Sequence, residues 1–153
     1  MSWPTTPTIG DKTTIDGKQW EYMGDGVWER TDIALRPDII TFDTSNTLTI
    51  GDTHIGAYVR IEYATDVTVT LPLHSTDPLP VGSIVTMIQG GIGQVIIEGE
   101  TVIIEGETVG VTLNAFHVGA GELPATAGQF AGLQIIKVGE NEWDVIGHIE
   151  IDE

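Results

Sequence analysis

The fold class is indicated by a short stretch of alternating side chains, Val67-Thr68-Val69-Thr70-Leu71. Apolar residues at every second position place three side chains on one face and two threonines on the other, as in a strand with one buried face. The preceding stretch, Tyr58-Val59-Arg60-Ile61-Glu62-Tyr63, has the same period, with Arg60 and Glu62 together on the outer face. The centre of the chain therefore predicts β-sheet.

The remainder of the chain extends this pattern into a series of short strands. Glycine is frequent (19 of 153 residues) and Val, Ile and Thr are abundant, a mixture that favours pleated sheet joined by tight turns. Residues 139–141 are a candidate hairpin turn, and residues 125–131 are expected to form at most one helical turn. We predict strands at residues 39–42, 47–50, 54–63, 67–71, 83–89, 94–98, 102–104, 109–113, 130–138 and 142–149. Ten strands at this spacing predict an all-β fold: an antiparallel β-sandwich, jelly roll or barrel.

The first 31 residues differ from the rest and predict an N-terminal arm and aromatic hairpin (1–31) ahead of a β-domain (32–153). The prolines of the arm favour an extended chain, because each fixes its own φ and disfavours helix at the residue before it. Residues 18–23 and 27–30 predict a hairpin around Gly24-Asp25-Gly26. An isolated hairpin is marginal in water, so its rings pack either on this chain's own domain or on another protein. Since aromatic side chains are common interface anchors, we predict partner contacts for Trp3, Pro4, Trp20, Tyr22 and Trp28.

One heptad occurs twice in succession: Val95-Ile96-Ile97-Glu98-Gly99-Glu100-Thr101 is repeated as residues 102–108. Because seven is odd, one straight strand would place the second copy's side chains on the opposite face. We therefore expect a turn or bulge near Gly99 and another near Gly106, with the two Val-Ile-Ile strands paired as ribs. The four glutamates of the repeat lack the Asp/Asn spacing of an EF-hand, so no calcium site is predicted.

The charge balance argues against several classes of partner. The chain has 23 acidic and 6 basic residues, a formal net charge of -17. Phosphate groups are bound mainly through Lys and Arg, so neither nucleic acid nor an anionic membrane surface is an expected partner. No run approaches the ~18 apolar residues of a membrane span, and the first residues lack the pattern of a signal peptide. Without cysteine, disulfides and thiolate metal sites are excluded.

No pattern in the sequence indicates catalysis. The histidines (His54, His74, His117 and His148) lack the spacing of a metal site, although His117 or His148 on the axis of a trimer is an alternative. His74-Ser75-Thr76-Asp77 has the residue types of a hydrolase triad, but consecutive residues do not form its relay, and the run reads as a loop tip. A glycosidase needs an aromatic-lined cleft, whereas only 7% of the residues are aromatic and many of these lie in the N-terminal hairpin. We predict a non-enzymatic protein with no catalytic residue, cofactor or metal.

Several motifs resemble a recurrent β module of bacteriophage virion proteins, found in tail fibres, head fibres and capsid decoration proteins. The resemblance covers roughly residues 66–147, a little over half the chain, and the duplicated heptad departs from the usual module. It rests on Asp66-Val67-Thr68-Val69-Thr70-Leu71-Pro72, Leu79-Pro80-Val81-Gly82-Ser83, Gln89-Gly90-Gly91-Ile92-Gly93-Gln94-Val95, Gly110-Val111-Thr112-Leu113, Ala127-Gly128-Gln129-Phe130-Ala131, Ile135-Ile136-Lys137-Val138-Gly139 and Glu142-Trp143-Asp144-Val145-Ile146-Gly147.

The resemblance implies a structural component on the exterior of a phage particle, assembled in the host cytoplasm. The leading hypothesis is a capsid decoration (cement) protein, a homotrimer that binds the major capsid protein through its arm and hairpin. The alternatives are a short head fibre, tail fibre or tail-tip protein that binds other virion proteins, and a module that binds host glycans. For glycan binding the candidates in the β-domain are Tyr58, Tyr63 and Phe116.

Overall fold

A computed structural model describes residues 2–31 and 37–152. The chain divides into two compact units, Met1–Arg36 and Pro37–Glu153. The expected boundary between residues 31 and 32 lies at the start of residues 32–36, which are outside the described part.

The regular secondary structure of the described residues is almost entirely strand, which confirms the all-β fold class. A single turn of 3-10 helix lies at Asp52–His54. The strands are β1 (Lys12–Ile15), β2 (Lys18–Gly24), β3 (Val27–Arg30), β4 (Ile39–Phe42), β5 (Thr47–Thr49), β6 (Tyr58–Ile61), β7 (Val67–Leu71), β8 (Ile84–Gln89), β9 (Val95–Gly99), β10 (Thr101–Ile104), β11 (Glu107–Gly110), β12 (Thr112–Ala115), β13 (Leu123–Thr126), β14 (Gly132–Gly139), β15 (Glu142–Gly147) and β16 (Ile149–Asp152).

The N-terminal unit is a three-stranded antiparallel sheet in the order β1-β2-β3. The first hairpin turns through Asp16-Gly17, and both residues have positive φ (51° and 74°), as a two-residue type I′ turn requires. Asp25 and Gly26 have similar angles in the second turn. The predicted hairpin is therefore present, and β1 adds a strand that the sequence pattern did not reveal.

The second unit contains two large sheets, a six-stranded one in the order β12-β15-β14-β8-β6-β4 and a five-stranded one in the order β16-β13-β9-β7-β5. From β4 to β9 successive strands alternate between the two sheets, and each strand is parallel to the next strand in its own sheet. The pairs of β14 with β8 and β15, and of β13 with β9 and β16, are antiparallel. The expected sandwich is thus built with mixed pairing, because a chain that switches sheets at every strand returns to each sheet in the same direction.

The apolar faces of the two sheets meet in one core. On β7, Val67, Val69 and Leu71 are buried while the threonines between them are partly exposed, as the alternation predicted. Trp143 of β15 is fully buried in the same cluster. The core therefore lies wholly within the second unit. Other members include Val59, Ile61, Val85, Met87, Val95, Ile97, Leu133 and Ile135.

Some predicted elements differ from the observed ones at their ends or in kind. Residues 54–57 precede β6 rather than belong to it, and the predicted strand at 109–113 is divided between β11 and β12. Residues 125–131 contain no helical turn, within the predicted limit of one, and the first two of them are the end of β13. Pairing of Ala125 with Ile96 and of Thr126 with Ile149 holds them in the sheet. Residues 140 and 141 form the turn between β14 and β15, as predicted.

The two copies of the heptad occupy different environments. The first copy forms β9, where Val95, Ile96 and Ile97 are buried between β7 and β13. The second copy begins in β10, which pairs only with β11 in a separate two-stranded sheet. The expected turns near Gly99 and Gly106 are present, but the expected pairing of the two Val-Ile-Ile strands is wrong. The five-stranded sheet already supplies both neighbours of β9.

Close backbone approach explains the glycines that follow β8. A Cβ atom on Gly93 would lie 1.9 Å from the Thr65 carbonyl oxygen, and one on Gly91 would lie 2.4 Å from that of Tyr63. Neither residue has positive φ, so the requirement is space and not a special conformation. Gly82 has a different role: its φ of 93° allows a turn before β8, which is closed by the hydrogen bond from Ser83 N–H to the Pro80 carbonyl oxygen.

We expect Gly93→Ala to destabilise the second unit by about 1–3 kcal/mol, because its methyl group must displace the backbone of residues 65 and 66. Gly132→Ala is the matched control, since a Cβ there meets only the Met87 carbonyl oxygen at 3.6 Å. Urea denaturation of both variants measures the difference. Equal stability of the two variants would contradict the close approach.

Candidate functional site

The aromatic side chains of the N-terminal unit form one cluster. Trp20 and Tyr22 lie on the same face of β2, and Trp28 of β3 is the cross-strand partner of Tyr22. The ring of Trp3 lies 5.3 Å from that of Trp20 and 5.1 Å from that of Trp28, and the Tyr22 and Trp28 rings are also 5.1 Å apart. The Arg30 guanidinium lies 5.9 Å from the Trp20 ring, within the range of a cation–π contact.

This cluster gives the N-terminal sheet only a partial core. No described residue of 2–31 is fully buried, and Trp3 retains 42% of its surface exposed. Trp20 Nε1 is buried without a hydrogen-bond partner among the described residues. The structure thus brings together four of the five predicted contact residues and leaves Pro4 exposed beside Trp3. Their contact with a partner stays a prediction.

The two units differ in charge. Residues 1–36 contain four of the six basic residues and six of the 23 acidic ones, which leaves two basic and 17 acidic residues in 37–153. One of those two, Lys137, is buried, and the other, Arg60, is ion-paired with Glu62. The surface of the second unit is therefore strongly anionic, whereas the N-terminal unit is close to balanced.

The outer face of the six-stranded sheet has an apolar groove of about 330 Å³. Gly132, which is in register with the outward-facing Ile88, contributes no side chain to it, and Gly147 also lines it. A Cβ atom on Gly147 would lie 2.4 Å from the Gly132 carbonyl oxygen, so the two strands approach closely there. The remaining lining includes Tyr58, Ile88, Phe130, Gln134 and Ile146, and no carboxylate is among the lining residues.

The three candidate glycan contacts do not converge. Tyr58 lines the groove, whereas Phe116 lies in a neighbouring depression with its ring 3.9 Å from that of His117. Tyr63 packs partly buried against the core. Ile146 and Gly147 line both depressions, so Tyr58 and Phe116 flank one continuous strip of the sheet.

The histidines are distributed over separate places. The described residues include no group of three His, Cys, Asp or Glu side chains that could hold a metal ion. His117 and His148 are both exposed, and His148 lines the depression that contains Phe116. Their proposed place on a trimer axis stays a prediction. His54 and His74 both form structural hydrogen bonds.

His54 stabilises the turn that precedes β6. Its Nδ1 accepts a hydrogen bond of 3.0 Å from Gly51 N–H, which closes the 3-10 turn. Burial lowers the pKa of His54 below its ordinary value of 6.5, because the charged ring is less well solvated there. The neutral ring is thus the form that the fold uses.

We expect the free energy of unfolding to decrease as the pH falls below 6.5, because the unfolded chain then binds a proton that folded His54 does not. The loss is complete once the pH is below the lowered pKa of the folded state. His54→Asn keeps an acceptor for Gly51 N–H and removes the titration. Urea midpoints at about pH 7.5 and about pH 5.5 should differ less in the variant than in the parent. An equal difference in both would contradict this role.

Lys137 is the one charged side chain among the buried residues of the described chain. Its Nζ donates to the Leu79 carbonyl oxygen at 2.8 Å and contacts His74 Nδ1 at 3.0 Å. The same Nζ lies 6.0 Å from the centre of the Trp143 ring. Burial lowers the pKa of the Lys137 ammonium. These bonds attach the loop between β7 and β8 to β14. The sequence pattern gave no sign of this site, because Lys137 stands at an inward position of an otherwise apolar strand.

The loop tip at residues 74–77 is held by structural bonds, in agreement with its interpretation as a loop. His74 N–H donates to Asn141 Oδ1, and the Thr76 hydroxyl donates to Glu100 Oε1, each at 2.8 Å. Leu73 N–H donates to the other Glu100 oxygen. Glu100, considered above as a cation ligand, is thus engaged in fixing this loop.

No protein-family model and no curated protein matches the sequence. In the described part of the chain there is no helix with the length and hydropathy needed to cross a membrane.

Proposed function

We propose that the chain is a non-enzymatic structural component of a bacteriophage particle, a capsid decoration protein on the exterior of the shell. The motifs of residues 66–147 support the phage assignment through their resemblance to virion β modules. The β-domain is the body of the protein, and the N-terminal unit is its means of attachment to the major capsid protein. The body is proposed to be a homotrimer assembled in the host cytoplasm.

The observation that carries the attachment role is the incomplete core of the N-terminal unit. Three tryptophans and a tyrosine contact one another there, yet no described residue of 2–31 is fully buried. Burial of aromatic rings at a protein interface supplies much of the binding free energy in many complexes. A partner surface that covers Trp3 and its neighbours would complete this core.

The charge distribution also supports attachment through the N-terminal unit. The nearly balanced N-terminal unit can approach another protein without bringing many carboxylates to the contact, while the anionic second unit remains in solvent. Like charge on neighbouring bodies also disfavours non-specific association between them.

The experiment is to add purified protein to particles that lack it. A decoration protein binds saturably over the shell and raises the melting temperature of the particle, because binding stabilises the assembled state. A head or tail fibre would bind at one or a few places on the particle only. That result would favour a fibre over a decoration protein. Absence of binding to any particle would contradict a virion role altogether.

A glycan-binding module is the second candidate, favoured by the groove beside Tyr58. The groove combines an aromatic ring with the polar groups of Gln134 and Thr86, which are hydrogen-bonded to each other at 3.1 Å. A glycan array tests it: binding that is lost in Tyr58→Ala but not in Tyr63→Ala supports this function, and an array without signal contradicts it.

A further inference from the structure

The β10–β11 hairpin exposes an apolar ribbon. Its strands are joined by a tight turn through Glu105 and Gly106, which have φ of 51° and 82°. At its base Val111 N–H donates to the Glu100 carbonyl oxygen at 3.0 Å. The chain therefore leaves β9 of the five-stranded sheet and continues into β12 of the six-stranded sheet from nearly the same point. Ile103 is 76% exposed and Ile104 is 54% exposed. The hairpin is therefore an apolar projection, with its acidic residues concentrated near the turn.

The first copy of the heptad shows how unusual this exposure is. The same Val-Ile-Ile triplet is buried in β9, with Val95 and Ile97 fully inaccessible. A two-stranded ribbon is marginal in water by itself, and unpaired apolar strands favour association with another surface. Since the residues that follow Glu100 return directly to Val111, the hairpin adds nothing to the core. Its apolar side chains are expected to be covered by another surface.

Charge restricts which surface of a second copy could cover it. With 17 acidic and two basic residues in 37–153, most faces of two copies repel each other. The groove on the six-stranded sheet is an exception, because none of its lining residues carries a carboxylate. Arg60, in the row next to Tyr58 on the same face, is neutralised by Glu62. The groove thus offers an apolar and nearly uncharged surface to an apolar ribbon.

We propose that the β10–β11 hairpin of one copy docks in the outer-face groove of a second copy. The contact is made by the ribbon face that carries Ile104 and Val109, against the groove residues Tyr58, Phe130 and Ile146. The contact joins two different surfaces, so it either is made reciprocally in a dimer or closes into a ring. This contact would be the interface of the homotrimer in the proposed function. Only the number of copies in the oligomer rests on that function.

The first test is the mass of the full-length protein in solution, measured by sedimentation equilibrium. The parent is expected to be an oligomer, and the double variant Ile103→Ser/Ile104→Ser a monomer with an unchanged far-ultraviolet circular dichroism spectrum. Ile92→Ser is the matched control, because Ile92 is also 76% exposed but lies in a loop outside the hairpin and the groove. A monomeric parent, or equal dissociation by the control, would overturn the proposal.

A variant of the groove tests the other half of the contact. Gly132→Val fills the groove, and the site accepts a Cβ atom because its nearest neighbour is 3.6 Å away and its φ is not positive. This variant is also expected to be monomeric. If it remains an oligomer, the hairpin associates with some other surface and the proposal is wrong.

Mixing the two monomeric variants gives the most specific result. Gly132→Val retains a hairpin and the Ile103→Ser/Ile104→Ser variant retains a groove, so an equimolar mixture should form a heterodimer and nothing larger. No association in the mixture would overturn the hairpin–groove contact. Because these measurements use isolated protein, failure here leaves attachment to particles to be decided by its own experiment.

Discussion

Deletion of residues 1–36 should abolish attachment to the particle and leave the β-domain folded. The core cluster lies entirely within the second unit, so its melting temperature should be close to that of the full-length protein. The aromatic cluster that we propose as the anchor is removed completely. Saturation binding of the truncated and full-length proteins to particles measures the effect.

A single substitution within the N-terminal unit sharpens this prediction. Trp3→Ala should weaken binding by about 2 kcal/mol or more, roughly 30-fold, if Trp3 is a central contact. Met23→Ala is the control, because Met23 is similarly exposed but lies on the face of β2 opposite Trp20 and Tyr22. If truncated protein still saturates the particles, or if both substitutions have the same small effect, the N-terminal unit is not the anchor.

Replacement of Trp143 by alanine should have the largest effect of any substitution on stability. Its side chain is fully buried between the two sheets and adjoins Lys137. Loss of a buried aromatic ring typically costs about 3–5 kcal/mol, through lost burial and the cavity that remains. In a domain of this size that corresponds to a decrease of roughly 6–20 °C in melting temperature. Thermal denaturation followed by circular dichroism measures it.

A matched pair of variants separates burial from the mere loss of an apolar group. Ile92→Ala removes apolar surface from an exposed loop position and should change the free energy of unfolding by less than about 0.5 kcal/mol. Trp143→Phe keeps a ring in the core and should cost less than Trp143→Ala. A Trp143→Ala variant as stable as Ile92→Ala would mean that the two sheets do not pack around this residue.

Local patterns in the sequence predicted the strands well. The alternation of Val67 to Leu71 identified β7 together with its buried face, and β4 was also predicted with its observed bounds. β13 was missed, because Leu123-Pro124-Ala125-Thr126 has neither alternation nor β-branched residues before its last position. Its burial comes from neighbouring strands, which a local pattern cannot show.

Local patterns in the sequence did not predict which strands pair or in which direction. The sequence predicted an antiparallel fold, yet β4, β6 and β8 are parallel because the chain visits the other sheet between them. The heptad repeat illustrates the same limit: two identical sequences form β9 in the core and part of an exposed hairpin. Their environments differ in the strands beside them: β9 lies between β7 and β13, whereas β10 pairs only with β11.

The aromatic part of the candidate site could be predicted, since tryptophans in a short polar segment must pack somewhere. The contacts of Trp3 with Trp20 and Trp28 could not, because they depend on how the extended arm folds back. The groove was missed because it depends on the absence of a side chain at Gly132 and on which residues of neighbouring strands lie beside it. A depression of this kind becomes apparent only when four strands are aligned in register.

The central claim is that this chain is a β-sheet body fixed to a larger particle through its N-terminal unit. Electron cryomicroscopy of particles saturated with the purified protein tests it most directly. Our account predicts added density at regular positions over the shell, with the residues around Trp3 at the contact and the anionic second unit outermost. Density that contacts the shell through the second unit while residues 2–31 face solvent, or particles without added density, would contradict it.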